Sequence, residues 1–400
     1  MKFVTEQAKS LPIFGEYDVV VVGGGVAGVA AALSARREGA KTLLIERSYM
    51  LGGLATAGLV TIYLPLCDGL GTQVSFGLSE ELLRLSIQNG YEGKYPAPWL
   101  DGDIAARKNR RYEVQFNANA FAILCEQKLL SEGVELSYGA LVCDAIKEGE
   151  KITVIVVENI NGRGVYAAKS FVDASGDAVL CERAGAKTAI FKQGNVEASW
   201  YYEHTGEEFK LHMLGFSDVP DKFKTEERIK ADKRRRYTGL DNTDLTELTC
   251  NAHATLWKDF LKNGDIDERH ALATIATKPQ VRMTRKLIGR YALDDTQMHQ
   301  RFEDSIGMVS DWRKNGPVYE LPFGCLYGDE VKNLTVCGRC ISVTDDMWDI
   351  TRVIPDCVVT GEAAGLAAAL TDDLGSLPVS ILQDKLRDRG VKLHLDEVGL

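Results

Sequence analysis

The chain has 400 residues, enough for two or three domains and a large core. Apolar residues make up 45% and charged residues 26%, which excludes a disordered or collagen-like chain. Lys and Arg total 47 against 57 Asp and Glu, a net charge of −10, so broad binding to a nucleic-acid backbone is not expected.

The nine cysteines are odd in number and irregularly spaced. That suits reduced thiols in a cytoplasmic protein better than a disulfide scaffold. The N-terminal residues lack the apolar core of a secretory signal. No uncharged apolar run reaches the length of a membrane span; the nearest, 357–370, is short and carries Glu362.

In chain order, residues 17–22 (YDVVVV) predict a strand buried on both faces, ending in glycines. Residues 28–39 predict an alanine-rich helix closed by Gly39, and 40–46 a second buried strand. Together they form a β-α-β unit. Residues 50–112 read as loops with one helix near 79–89. A helix is expected over 118–132 and a strand over 134–138. Residues 152–159 and 164–168 suit a hairpin around Asn161-Gly162. Residues 171–176 (FVDASG) suit another short strand running into a turn.

From 186 to 320 polarity rises, and 221–236 is a charge run suited to a solvated helix face. Residues 334–336 return to strand character, and 354–370 predict a helix of small residues. Rossmann-like character at both ends with a different region between suggests one domain interrupted by an insertion.

Gly23, Gly25 and Gly28 form G-x-G-x-x-G between the first strand and helix, and Glu46 follows at the end of the next strand. The glycines allow a tight turn, backbone approach to a pyrophosphate and close helix packing; Val26 and Ala27 open the helix, whose N-terminus supplies amide donors. Glu46 can accept from both hydroxyls of a ribose. This pattern serves NAD and FAD alike. Arg47 and the second glycine-rich stretch, with Gly52, Gly53, Leu54, Ala55 and Thr56, make room for the longer FAD. Near the C-terminus, Gly338 and Arg339 follow a strand. Arg352 and Val353 precede a helix opened by Pro355 and kept slim by Gly361 and Gly365. That helix N-terminus and Arg352 could stabilise a reduced, anionic isoalloxazine. Cys337 and Cys340 read as small packing residues, with flavin–disulfide chemistry or metal binding as lesser alternatives.

These motifs resemble the bacterial FAD-dependent oxidoreductase family of the glutathione-reductase-like superfamily. The resemblance spans nearly the whole chain, including VDASGDAVLCERAGA, VRMTRKLIGRY and the 333–370 segment. It implies a Rossmann-like FAD-binding domain of 1–65, 113–185 and 325–400, a parallel sheet with helices and a small β-meander, interrupted by an inserted α+β substrate domain of 66–112 and 186–324. It also implies that Val142 meets adenine through its backbone, that Ala174, Ser175, Gly176 and Asp177 lie along the cofactor's edge, and that Gly338, Arg339, Arg352, Val353 and Gly365 belong to the flavin end. Many relatives carry a histidine where this chain has Asp345, which could replace it as an acid/base or be a solvated carboxylate. Arg282 and Arg285, three apart on an expected helix, could clamp a substrate carboxylate or form ordinary ion pairs. The expected activity is hydride exchange between a small organic substrate and FAD, with an unidentified electron acceptor. An NAD(P)-dependent dehydrogenase and a non-catalytic protein with structural FAD are the alternatives.

Overall fold

The computed structural model describes residues 4–5, 7–216, 224–262, 264 and 266–400. At its centre four parallel strands run in the order Glu135–Tyr138, Thr42–Glu46, Ile13–Val22, Gly162–Asp173. Val19 to Val22 are buried between covered faces, which is why they read as an unbroken β-branched run and not as an alternation. Beyond Gly162–Asp173 the sheet forks. The first half of that strand pairs antiparallel with Lys151–Asn159, which pairs with Leu141–Glu148, giving the small meander. Its last residues pair parallel with Leu334–Val336, making seven strands. Phe171 to Asp173, expected as a separate short strand, are therefore the end of a 12-residue strand that begins in the hairpin.

Helices Val26–Arg37 and Ile354–Leu370 pack side by side against this sheet. Their backbones touch. A Cβ at Gly361 would stand 2.3 Å from the Ala27 carbonyl oxygen, and one at Gly365 2.0 Å from that of Ala31. Helix Leu78–Ser86 packs on Ile354–Leu370 and on Ala118–Ser131. Leu66, Leu82, Trp99 and Tyr112 join the same core. Phe191, Met283 and Leu287 belong to it as well, so this core runs across the expected boundary between sheet domain and insertion. Hairpin Ser305–Ser310 with Val318–Pro322 joins it too, contributing Ile306, Val309 and Tyr319.

Between these parts stands a three-stranded antiparallel sheet in the order Phe209–Leu214, Ser199–His204, Ala271–Ile275. Helix Asn242–Phe260 covers it, and Tyr201, Leu256 and Phe260 form its own small core. Within the charge run, Glu226–Ala231 is a short exposed helix as expected; residues 221–223 lie outside the described residues.

The expected helix carrying Arg282 and Arg285 does not form. The Asn195 side chain accepts from the N–H groups of Arg282 and Met283 and donates to the Met283 carbonyl, so these backbone groups are engaged away from any helix. Arg285–Leu287 then pairs as a strand with Thr188–Ile190. Among the described residues no single helix is long and apolar enough to cross a membrane.

Candidate functional site

The first strand ends at Gly23, whose φ of +106° turns the chain sharply into the helix. A Cβ at Gly28 would lie 1.8 Å from the Gly23 carbonyl oxygen, so only glycine lets the helix start this close to the turn. Gly25 differs. A Cβ there would meet no protein atom within 4 Å, because the residue faces a cavity. Helix Val26–Arg37 has no side-chain cap and no acidic residue in its first turn. Its N-terminal amides keep their positive field for whatever enters that cavity.

Glu46 ends the second strand and is buried. One carboxylate oxygen accepts from the Gly24 N–H at 2.7 Å; the other accepts from the Ser48 N–H and hydroxyl at 2.9 and 2.8 Å. Burial works against its charge. The charge of Lys278 and the donors on Ser48 and Gly24 outweigh burial and hold the carboxyl below its usual range. It is a fixed anion with acceptor capacity left for ribose hydroxyls. The second glycine stretch is tied to the first turn: the Gly52 N–H donates to the Gly24 carbonyl at 2.8 Å. The Gly162–Asp173 strand end is held by Asp173, which accepts from the Ser175 N–H and hydroxyl and from the Cys181 N–H.

These elements line one cavity of about 460 Å³. Gly23, Gly25, Val26, Ala27, Glu46, Gly52, Gly53, Leu54 and Ala55 line it, with Ala174, Ser175 and Gly176. Gly338, Arg339, Arg352, Val353 and Ile354 line it too; a Cβ at Gly338 would stand 2.8 Å from that of Ala27, and one at Gly176 would meet the Arg339 guanidinium. A smaller cavity of about 50 Å³ continues past Gly23 and Glu46 to Arg47, Val142 and Asp177. The two chain ends thus converge on one groove, as expected.

The second helix N-terminus also lacks a side-chain cap. Asp356 sits in its first turn, where burial and the nearby Asp311 raise its carboxyl well above the usual range and so weaken its opposition to the helix dipole. Arg352 is held by Asp349 at 2.7 Å and lies over the Trp312 ring. Arg313 shares Asp349 at 3.0 Å. Arg339 braces the strand end against the insertion by donating to the Val281 and Arg282 carbonyls. Arg282 donates to Gln280 and stacks over Trp200 at 5.1 Å.

Several expected site residues stand elsewhere. Arg285 pairs with Glu182 at 2.7 Å and lines neither cavity. Asp345 opens the Asp345–Thr351 helix, is half exposed, and pairs with Lys286 at 2.6 Å outside both cavities. The Thr56 hydroxyl turns inward to the Leu51 carbonyl and lines neither cavity. Gly28 and Gly365 serve helix packing and touch no cavity. Cys337 and Cys340 are buried free thiols that burial holds well above the usual range, which disfavours the thiolate that disulfide chemistry needs.

The cavity also contains residues that sequence reasoning missed. Val60, Ile62 and Leu64 line it, and their alternation was a usable signal. Trp200, Met213 and Phe216 reach it from the insertion, and Trp312, Arg313 and Asp349 from two later segments. Nothing in their local spacing announces that they meet. Lys278, in an irregular stretch before Pro279, lines both cavities.

FAD fits this set. The open space beside Gly25, two uncapped helix N-termini on one groove, and a fixed carboxylate with spare acceptors are features the protein itself does not use. Comparison with known proteins agrees. A thioredoxin reductase of Ureaplasma parvum serovar 3 is 33% identical over 76 residues, 19% of this chain and 25% of that one. The tRNA uridine 5-carboxymethylaminomethyl modification enzyme MnmG of Lactococcus lactis subsp. cremoris is 30% identical over 176 residues, 42% of this chain and 25% of the relative. The chain thus spans about a quarter of the length of these curated relatives. Among solved structures, a geranylgeranyl bacteriochlorophyll reductase-like protein of Thermoplasma acidophilum aligns with a TM-score of 0.45 at 13% identity, over 95% of this chain and 93% of that one. The family model described as FAD dependent oxidoreductase matches residues 18–224 and 191–389. With nearly the whole chain covered, the protein belongs to the FAD-dependent oxidoreductases.

Proposed function

We propose that a small, largely apolar organic substrate exchanges a hydride with N5 of FAD where the inserted sheet meets the flavin end of the groove. The observation that supports this most is the shared cavity. It is lined by the glycine turn and Glu46, by the Val353–Ile354 helix start, and by an apolar wall from a separate sheet. Bound FAD supplies the two-electron chemistry; the chain supplies position and charge. In this reading Gly23, Gly25 and the Val26 amide face the pyrophosphate, Glu46 the ribose, and Val142 and Asp177 the adenine end. Arg352, fixed by Asp349, and the helix start at Ile354 stabilise negative charge at the flavin. Trp200, Met213 and Phe216 with Val60, Ile62 and Leu64 exclude water and bind the substrate body. Arg282, backed by Gln280 and Trp200, orients a polar substrate group. The glycine turn and meander support membership of the glutathione-reductase-like superfamily, and the separate core of Tyr201, Leu256 and Phe260 supports a substrate domain built on that sheet.

The test is an anaerobic screen of small apolar compounds against the purified yellow protein, read by bleaching of the flavin band. A hit whose turnover falls on shrinking Trp200 supports the reading. Flavin that neither bleaches with any donor nor, once photoreduced, reoxidises with any acceptor would overturn it in favour of a structural cofactor.

A further inference from the structure

Lys278 stands at the waist between the two cavities. It lines both, together with Gly23, Glu46 and Ser175. Its own backbone is clamped to the second glycine stretch, since the Thr277 and Lys278 N–H groups both donate to the Ala57 carbonyl, at 2.8 and 3.1 Å. Its ammonium has neither a hydrogen bond nor an ion pair among the described residues. The two carboxylates in its surroundings are engaged by others: Glu46 by Gly24 and Ser48, Asp177 by the Thr284 hydroxyl and Arg339. Arg47 and Arg339 add like charge. Burial, Arg47 and Arg339 lower the lysine from its usual range against the pull of Glu46 and Asp177, and neither carboxylate reaches its ammonium as a hydrogen-bonded partner. The position calls for an anion, and the groove leads from the glycine turn directly past it.

We propose that Lys278 is the counter-charge for the diphosphate of FAD, supplied by the insertion and not by the nucleotide-binding turn. The cofactor then ties the 277–278 segment to both glycine stretches, and the ammonium regains a partner when FAD enters. The inference rests on FAD lying along this groove as described above. It extends the phosphate site beyond the helix N-terminus, whose amides alone would serve any anion.

The experiment compares binding of FAD, ADP and adenosine to the flavin-free full-length protein, by calorimetry, for the wild type, Lys278→Met and Lys278→Arg. ADP carries the diphosphate, and adenosine has the same base and ribose without it. Lys278→Met should weaken FAD and ADP binding at least about tenfold and flatten their salt dependence, as loss of a charge-assisted contact predicts. Adenosine binding should stay within about twofold, and Lys278→Arg should restore most of the ADP affinity. Unchanged ADP affinity in Lys278→Met would overturn the assignment. Equal losses for ADP and adenosine would also overturn it, as the mark of a merely structural role. Failure of the wild type to bind FAD and ADP would instead overturn the placement of the cofactor, and this assignment with it.

Discussion

Glu362 offers a quantitative test of how tightly the helix Ile354–Leu370 is built. Its side chain is buried beneath that helix, where one oxygen accepts from the Leu78 N–H at 2.8 Å, joining the helix to the start of Leu78–Ser86. Burial raises its carboxyl from an ordinary 4.5 to about 7, against the pull of the Leu78 N–H and of Arg389 and Arg37. The native state therefore holds a proton that the unfolded chain releases. Stability from this group is complete below pH 4.5 and declines as pH rises towards 7, by about 1.4 kcal/mol per pH unit. Across that interval the loss reaches about 3 kcal/mol. Glu362→Gln keeps an acceptor for the Leu78 N–H and cannot ionise. Denaturant titrations of both proteins at pH 5, 6, 7 and 8, with FAD at one saturating concentration, give the difference in stability at each pH. The variant should gain on the wild type by about 2.5 kcal/mol between pH 5 and pH 8, whatever constant cost the amide carries. A difference that stays flat over that range, or one that moves in the opposite direction, refutes the buried neutral acid.

Gly28→Ala should abolish flavin retention, because its methyl group collides with the Gly23 carbonyl oxygen; the ratio of flavin to protein absorbance after dialysis reads this, and a variant that stays yellow contradicts the turn geometry. Trp200→Ala should leave flavin content intact while raising the KM of any substrate found by bleaching about tenfold or more, since a large apolar contact is removed; unchanged kinetics would place the substrate elsewhere. Because burial holds the Cys337 and Cys340 thiols well above their usual range, anaerobic reduction should take up two electrons, into the flavin alone, and Cys337→Ser with Cys340→Ser should titrate identically. A second two-electron equivalent lost in the double variant would show a redox disulfide.

The parts of this architecture that local chemistry dictates were legible in the sequence. Val19 to Val22 announce a doubly covered strand, the glycine spacing announces its turn, and Ile354–Leu370 was bounded correctly from Pro355 and the run of small residues. Errors arose where long-range partners override local pattern. Arg282 and Arg285 have helical spacing, but the Asn195 side chain occupies the backbone groups a helix would need. Thr56 belongs to the glycine stretch expected beside FAD, yet its hydroxyl finds the Leu51 carbonyl five residues back. Asp345 occupies a suggestive position in the chain, and Lys286 claims it from another strand. The apolar wall of Trp200, Met213 and Trp312 exists only once three distant segments are folded together.

The contact between the two glycine-slimmed helices has a mechanical consequence. With the carbonyls of Ala27 and Ala31 seated where side chains at 361 and 365 would be, neither rod can slide or roll without driving its neighbour. The two helix starts that line the cavity are geared as one part, so the span between them acts as a gauge of fixed length. A single added methyl at Gly361 or Gly365, in the interior and away from any ligand, should misalign both ends at once.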